Sequence, residues 1–272
     1  MSEKIKFEQV SKTFKVRDPQ KKNAIREFTA VKDLEFTVKD GEFLVIVGPS
    51  GCGKSTLLDM LGGLIKPTTG RILLNGTPIH GPGLERGIVF QQYALFPWKT
   101  ALANIEFGLE AKGVSKKEKQ EKAREYLALV GLSEFAYRYP HELSGGMKQR
   151  VAIARSLAYD PEVLLMDEPF AALDAQTRES LQEELLQIWE KTKKTIVFIT
   201  HGIDEAVFLG QRVAVMTSRP GTLKEMIDIS FDSRTGEEDL RSTPEFTGAR
   251  HEVWTLLREE VNKTHYKENV TV

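Results

Sequence analysis

Cysteine, long apolar runs, repeats and net charge are all scarce in this chain of 272 residues, and each scarcity removes a class of protein. The one cysteine, Cys52, cannot close an intrachain disulfide, so no covalent staple is available and a reducing compartment suits the chain. No stretch approaches the roughly twenty apolar residues that a membrane helix needs. The opening MSEKIKFEQV also lacks the apolar centre of a signal peptide, so a cytoplasmic chain is expected. Formal net charge is -1, from 38 Lys and Arg against 39 Asp and Glu, which leaves no cationic excess for nucleic acid held by counterion release. The densest basic run, KKEKQEK at 116–122, leads at helical spacing towards Tyr126, Leu129 and Val130 and reads as a solvated helix face. At 40% hydrophobic and 28% charged, the composition suits one large α/β domain plus additions.

What is present is an ordered set of motifs. The apolar run Phe43 to Val47 feeds GPSGCGKST, residues 48–56, a glycine-punctuated turn that opens into a helix near Lys54. Gly48, Gly51 and Gly53 let the backbone bend and aim successive amides at phosphate oxygens, with no side chain in the way. Lys54 would reach the β- and γ-phosphates, Ser55 would offer its hydroxyl to Mg²⁺, and the helix start adds a positive dipole end. The whole loop, including Pro49, Ser50, Cys52 and Thr56, is the candidate binding site for a nucleoside triphosphate such as ATP. Cys52 is read there as a small residue that fits.

Further on, LSGGMKQR places a good N-cap, Ser144, before Gly145 and Gly146, with Met147, Val151, Ala154 and Ala158 at the spacing of one buried helix face. A serine cap before two glycines is also an ordinary helix start; here it would present a second set of bare amides to phosphate. Val163 to Met166 then reads as a buried parallel strand ending in Asp167 and Glu168. Beside a P-loop, Asp167 suits the coordination sphere of Mg²⁺ and Glu168 suits polarising the attacking water.

Over residues 5–220 this order resembles the nucleotide-binding subunit of an ATP-binding-cassette transporter. The resemblance implies a P-loop NTPase of ABC ATPase type, with an N-terminal antiparallel β part and a mostly parallel sheet core flanked by helices. It places Phe14 where the family stacks an aromatic on adenine, though Phe14 equally suits a strand core. It makes Gln91, after GIVF, the glutamine that senses Mg²⁺ and attacking water, Leu173-Asp174 the loop that crosses a dimer interface, and His201 the histidine that contacts the γ-phosphate. Two departures stand out: Gly202 replaces an aspartate common after that histidine, and Met147 and Lys148 replace glutamines. The implied assembly is a homodimer that sandwiches ATP. It would lie peripherally on the inner face of the membrane with integral permease subunits and, indirectly, a solute-binding protein.

Strand-like IKFEQVSKTF, LEFTV, RILLNG, GIVF, VLLMD, TIVFIT and RVAVM alternate with helical stretches, the pattern of a mostly parallel sheet covered on both sides. An ATPase domain is expected over 1–220 with a helical subdomain inserted at about 92–160, where Phe96, Pro97 and Trp98 read either as a docking patch for the permease or as a buried loop. Residues 221–272 form an extension: an exposed connector around Glu237, Glu238 and Asp239, then a docked helix with Phe246, Val253, Trp254, Leu257 and Val261 at helical spacing. LFPW, AALDAQTR and SRPG look like the importer group that serves nitrate, alkanesulfonates and taurine, so a small anionic solute is expected. The alternative, a non-transport ABC ATPase acting on DNA ends or ribosomes, would carry a long coiled-coil insert or a second cassette. A metabolite kinase would have no use for LSGGMKQR.

Overall fold

The structure is a computed structural model that describes residues 2–17, 24–231, 234 and 240–269, with 264–269 as backbone alone. The connector expected at Glu237, Glu238 and Asp239 lies outside the described residues. The chain divides into two compact units, one of Met1–Pro82 with Phe198–Val272, the other of Gly83–Val197.

The first unit opens with two long antiparallel strands, β1 (Glu3–Arg17) and β2 (Ile25–Lys39). Ile5 and Phe7 alternate inward as a period of two requires, and Phe7 stacks on Phe36 with ring centroids 4.3 Å apart. Gln9 then takes a φ of 48° and the register slips between Phe7 and Val10, so the neighbours Val10 and Ser11 are both buried. β3 (Phe43–Val47) is buried at all five positions, as a strand covered on both faces must be. It leads into the helix α1 (Lys54–Leu61). β4 (Thr69–Leu74) and β5 (Thr77–Pro78) complete an antiparallel sheet in the order β2-β1-β4-β5.

The second unit holds β6 (Arg86–Val89), α2 (Ala101–Glu110), α3 (Lys116–Leu129), α4 (Gly145–Ala158), β7 (Val163–Asp167) and α5 (Ala175–Thr192). β6 and β7 pair in parallel with Val89 opposite Met166, while α2, α3 and α4 pack on one another as the expected run of helices. Ser115 caps α3 by accepting the Glu118 amide hydrogen at 3.3 Å. Lys122 and Glu118 pair at 2.8 Å one turn apart on the exposed face. The buried face of α3 and its cap runs through Ala123, Leu127 and Val130. Leu129, expected on that face, is exposed and Tyr126 only half-buried, because the inward steps are four and then three residues from Ala123.

β8 (Thr195–Ile199), wholly buried, carries the chain back to the first unit. There α6 (Ile203–Leu209), β9 (Arg212–Met216), β10 (Leu223–Asp228) and α7 (Pro244–Asn269) follow. β9 lies between β3, to which it is parallel, and β10, to which it is antiparallel. Arg212 grips both oxygens of buried Glu42 and donates to the Thr37 carbonyl at 2.7 Å, tying β9 to the turn before β3. α7 buries Phe246, Val253 and Leu257 and packs on α6. Trp254 and Val261, expected on that face, are exposed, because the inward row continues from Leu257 to Glu260.

Glu260 is 1% exposed and accepts from Ser218 N–H at 3.0 Å, Lys263 at 2.7 Å and Lys224 at 3.1 Å. Burial pushes its pKa up, but these donors outweigh burial and hold it at about 2. A carboxyl depressed in the folded state stabilises fully above its unfolded value near 4.5 and loses that contribution as pH falls towards 2. Glu260→Gln is expected to lower stability by about 2 to 3 kcal/mol at pH 7. In urea melts at stepped pH the gap between the two proteins should narrow between pH about 4.5 and 2, and a pH-independent gap would contradict the assignment.

Candidate functional site

The site residues expected from sequence fall in both units. Phe14, residues 48–56 and His201 belong to the first, and Gln91, Ser144 to Gly146, Asp167, Glu168 and Asp174 to the second.

In the first unit the loop 48–56 leaves the carboxyl end of β3, where ligands gather in parallel sheets. Gly51 and Gly53 adopt φ of 72° and 98°, which a side chain would strain. A Cβ on Gly53 would also strike the Val31 side chain at 2.5 Å and the Ala30 carbonyl at 2.9 Å. Gly53 is the N-cap of α1 and brings no side-chain hydrogen bond. Lys54 is 7% exposed, and its ammonium donates to the carbonyls of Gly48 at 2.8 Å and Pro49 at 3.1 Å. Cys52 is buried against this lysine, and burial raises its thiol pKa. Buried with a raised pKa, it is poorly disposed to react with alkylating reagents.

His201 reaches the same edge. The Thr200 amide donates to the Ile46 carbonyl at 3.2 Å, so the chain leaving β8 runs beside the end of β3 and His201 comes out next to the loop. The loop after it holds itself without an aspartate at 202: Thr200 Oγ1 accepts the Gly202 amide hydrogen at 2.9 Å and donates to the Glu205 carboxylate. Phe14 is half-buried opposite Phe28, with the Lys12 ammonium 5.1 Å from its ring, so it is no core residue of β1.

In the second unit Gln91 and the two carboxylates follow the carboxyl ends of adjacent parallel strands. The last paired residues of those strands are Val89 and Met166, and Gln91 and Glu168 each come two residues later in the chain. Glu168 takes a φ of 44°, unusual for a residue with a side chain, and its carbonyl accepts the Ala171 amide hydrogen at 3.2 Å. Backbone held in a sparsely populated region gathers at functional positions. Ser144 caps α4 as expected, its hydroxyl accepting the Met147 amide hydrogen at 3.3 Å. Packing presses on the two glycines that follow: a Cβ on Gly146 would clash with Thr177 at 2.6 Å, while one on Gly145 would stand tightly at 3.2 Å from Leu173 and 3.3 Å from the Tyr93 hydroxyl. Asp174 caps α5 by accepting the Thr177 amide hydrogen at 3.0 Å, and that bond lowers its pKa. Among the described residues no three His, Cys, Asp or Glu are grouped to hold a metal ion by themselves.

Several residues at these loops went unremarked in the sequence. Arg219 of SRPG donates to the Gly51 carbonyl at 2.7 Å and lies over the Phe28 ring at 5.4 Å, bracing the loop. Asn104, fully buried in α2, accepts the Phe96 amide hydrogen at 2.8 Å and donates to the carbonyls of Phe96, Lys99 and Thr100. A lone amide on the inward face of an apolar helix was the legible signal for it. The turn it holds leaves Trp98 70% exposed, 5.5 Å from the Phe96 ring, so this is no buried loop.

The family model described as ABC transporter matches residues 31–171. A taurine import ATP-binding protein of Pelagibacter ubique is 49% identical over 84% of this chain and 87% of its own length. A nitrate import ATP-binding protein of Synechocystis sp. is 50% identical over 84% of this chain and 88% of its own length. The dimeric structure of a post-hydrolysis state of an ATP-binding cassette, bound to ADP and phosphate, is 35% identical and matches with a TM-score of 0.72 over 84% of this chain and 99% of that one. With a P-loop at the end of a buried strand and paired acids at the end of a parallel one, the chain belongs to the ABC transporter family, as a subunit of the kind that binds and hydrolyses ATP.

Proposed function

We propose that this chain hydrolyses ATP to energise an importer of a small anionic solute of the nitrate, sulfonate or taurine class. The kinship with nitrate and taurine import proteins supports the solute class. The observation that carries the chemistry is that Gln91 and Glu168 each stand two residues beyond the paired Val89 and Met166, at the carboxyl ends of the neighbouring strands β6 and β7.

In this reading the N–H groups of Gly51 to Thr56 cradle the phosphates, and Lys54 exchanges the carbonyls of Gly48 and Pro49 for β- and γ-phosphate oxygens. Phe14 offers its ring face to adenine. The hydroxyl of Ser55, the amide oxygen of Gln91 and the carboxylate of Asp167 are hard oxygen donors. They suit Mg²⁺, which is commonly held by one or two carboxylates together with substrate phosphates. Bound Mg²⁺ would neutralise charge on the phosphate oxygens. Glu168 takes the proton of the attacking water, Gln91 orients that water, and His201 donates to a γ-phosphate oxygen as charge spreads over it.

The amides at Gly145 and Gly146, with the cap Ser144, bind the γ-phosphate held by a second copy, and Asp174 lies at that interface. ATP thereby bridges two copies with charge-assisted hydrogen bonds, and hydrolysis removes the bridge. Among the described residues no helix is long and apolar enough to cross a membrane. In this reading the dimer works as a peripheral assembly on the cytoplasmic side of permease subunits, which receive solute from a binding protein. Phe96, Pro97 and Trp98, with Phe107 packed 4.6 Å from Phe96, form the apolar patch the permease covers.

Glu168→Gln should bind ATP, accumulate as a dimer by light scattering, and turn over about a hundredfold more slowly or worse. Normal phosphate release by that variant would remove Glu168 as the base. Trp98→Glu should cut solute uptake by the assembled transporter about tenfold or more, while ATPase activity of the isolated subunit stays within about twofold of its starting value. Equal loss of both activities would show that Trp98 serves the fold and not the docking.

A further inference from the structure

Arg155, in the second half of α4, is a residue the chemistry above does not use. Its guanidinium donates to the carbonyl of Ala94 at 2.6 Å and of Tyr93 at 3.0 Å. These two consecutive residues have φ of 47° and 59°, both in the left-handed region that side chains resist. The Ala94 amide closes back on the Gln92 carbonyl at 2.6 Å, so the turn is tight as well as strained. Such a turn persists only where its surroundings over-determine it, and a charged fork on two adjacent carbonyls does that. Burial lowers the pKa of Arg155.

The other end of Tyr93 returns to the same helix. Its hydroxyl lies 3.3 Å from where a Cβ of Gly145 would stand, beside Leu173, the residue before Asp174. Tyr93 therefore runs along α4 from Arg155 to the first turn, and Gln91 lies two residues before it in the chain. We infer that Arg155 is a positioning residue: by fixing the Tyr93–Ala94 turn against α4 it sets the place of Gln91 relative to the Gly145 and Gly146 amides, so that loop and helix move as one body. Metal and water sensed at Gln91 are then felt at the surface offered to the second copy. This rests on the proposed role of Gln91.

The test compares the full chain with Arg155→Met, which keeps bulk but donates nothing, with Arg155→Lys, and with Gln91→Ala. In hydrogen exchange without nucleotide, amides of 92–99 should exchange about tenfold faster in Arg155→Met while those of α4 keep their protection. In steady-state ATPase assays, kcat should fall about tenfold or more, with KM for ATP within about twofold of its starting value, and the magnesium concentration for half-maximal rate should rise as it does in Gln91→Ala. Arg155→Lys, which keeps the charge but loses the planar fork, should fall between, and it replaces Arg155→Met if that variant does not fold. Unchanged loop exchange, equal loosening of α4, or a normal kcat beside an impaired Gln91→Ala each overturns the inference. A Gln91→Ala variant that turns over normally brings down the role assigned to Gln91, while the exchange rates still report separately whether Arg155 holds the loop.

Discussion

The first amides of a helix find no carbonyl within their own turn, and in this molecule two helices begin where side chains have been stripped away. At α1 the N-cap is glycine and supplies no side-chain acceptor. At α4 the cap hydroxyl is committed to Met147, so the amides of two glycines stay on offer. In the proposed cycle an anion meets the donors at both helix starts. Triphosphate oxygens are the natural partner there, and the cycle's control over association follows from the same contacts.

Much of the remaining architecture keeps these ends in place. Val31 and Ala30 of β2 press on Gly53, Arg219 holds the Gly51 carbonyl, and Gly221 leaves room for the carbonyl of Cys52. The close fit explains why the last turn before β10 contains a glycine. In the second unit Thr177 crowds Gly146 so closely that a side chain there would clash, and Leu173 and Tyr93 stand tightly against Gly145. Glycine at 145 and 146 thus answers to neighbours of its own chain as well as to any phosphate.

Motifs that act through backbone were the most readable part of the chain. The buried run Phe43–Val47, the loop after it, the Ser144 cap and the strand ending at Asp167 all stand where hydrophobic pattern and turn chemistry put them. Helical faces were read less well, because apolar spacing alone leaves a choice of rows. In α7 the inward row ends on the carboxylate of Glu260, held by two lysines and an amide, and no pattern of apolar residues could have named it. Leu129 went astray for the related reason that small Ala123 marks the true row. Tyr93, Asn104 and Arg155 bind backbone carbonyls or neighbours distant in sequence, and such bonds leave no local trace beyond an amide or guanidinium in an otherwise apolar helix.

Asn104 has one further effect. Because its amide locks the turn from Phe96 to Thr100, the indole of Trp98 is carried on a stiff mount and cannot tuck itself away. A partner that covers it loses little chain entropy on arrival. The other side of that economy is that every solitary copy displays a greasy knob to its surroundings, so synthesis matched to the supply of permease would protect the cell from clumping of surplus subunits.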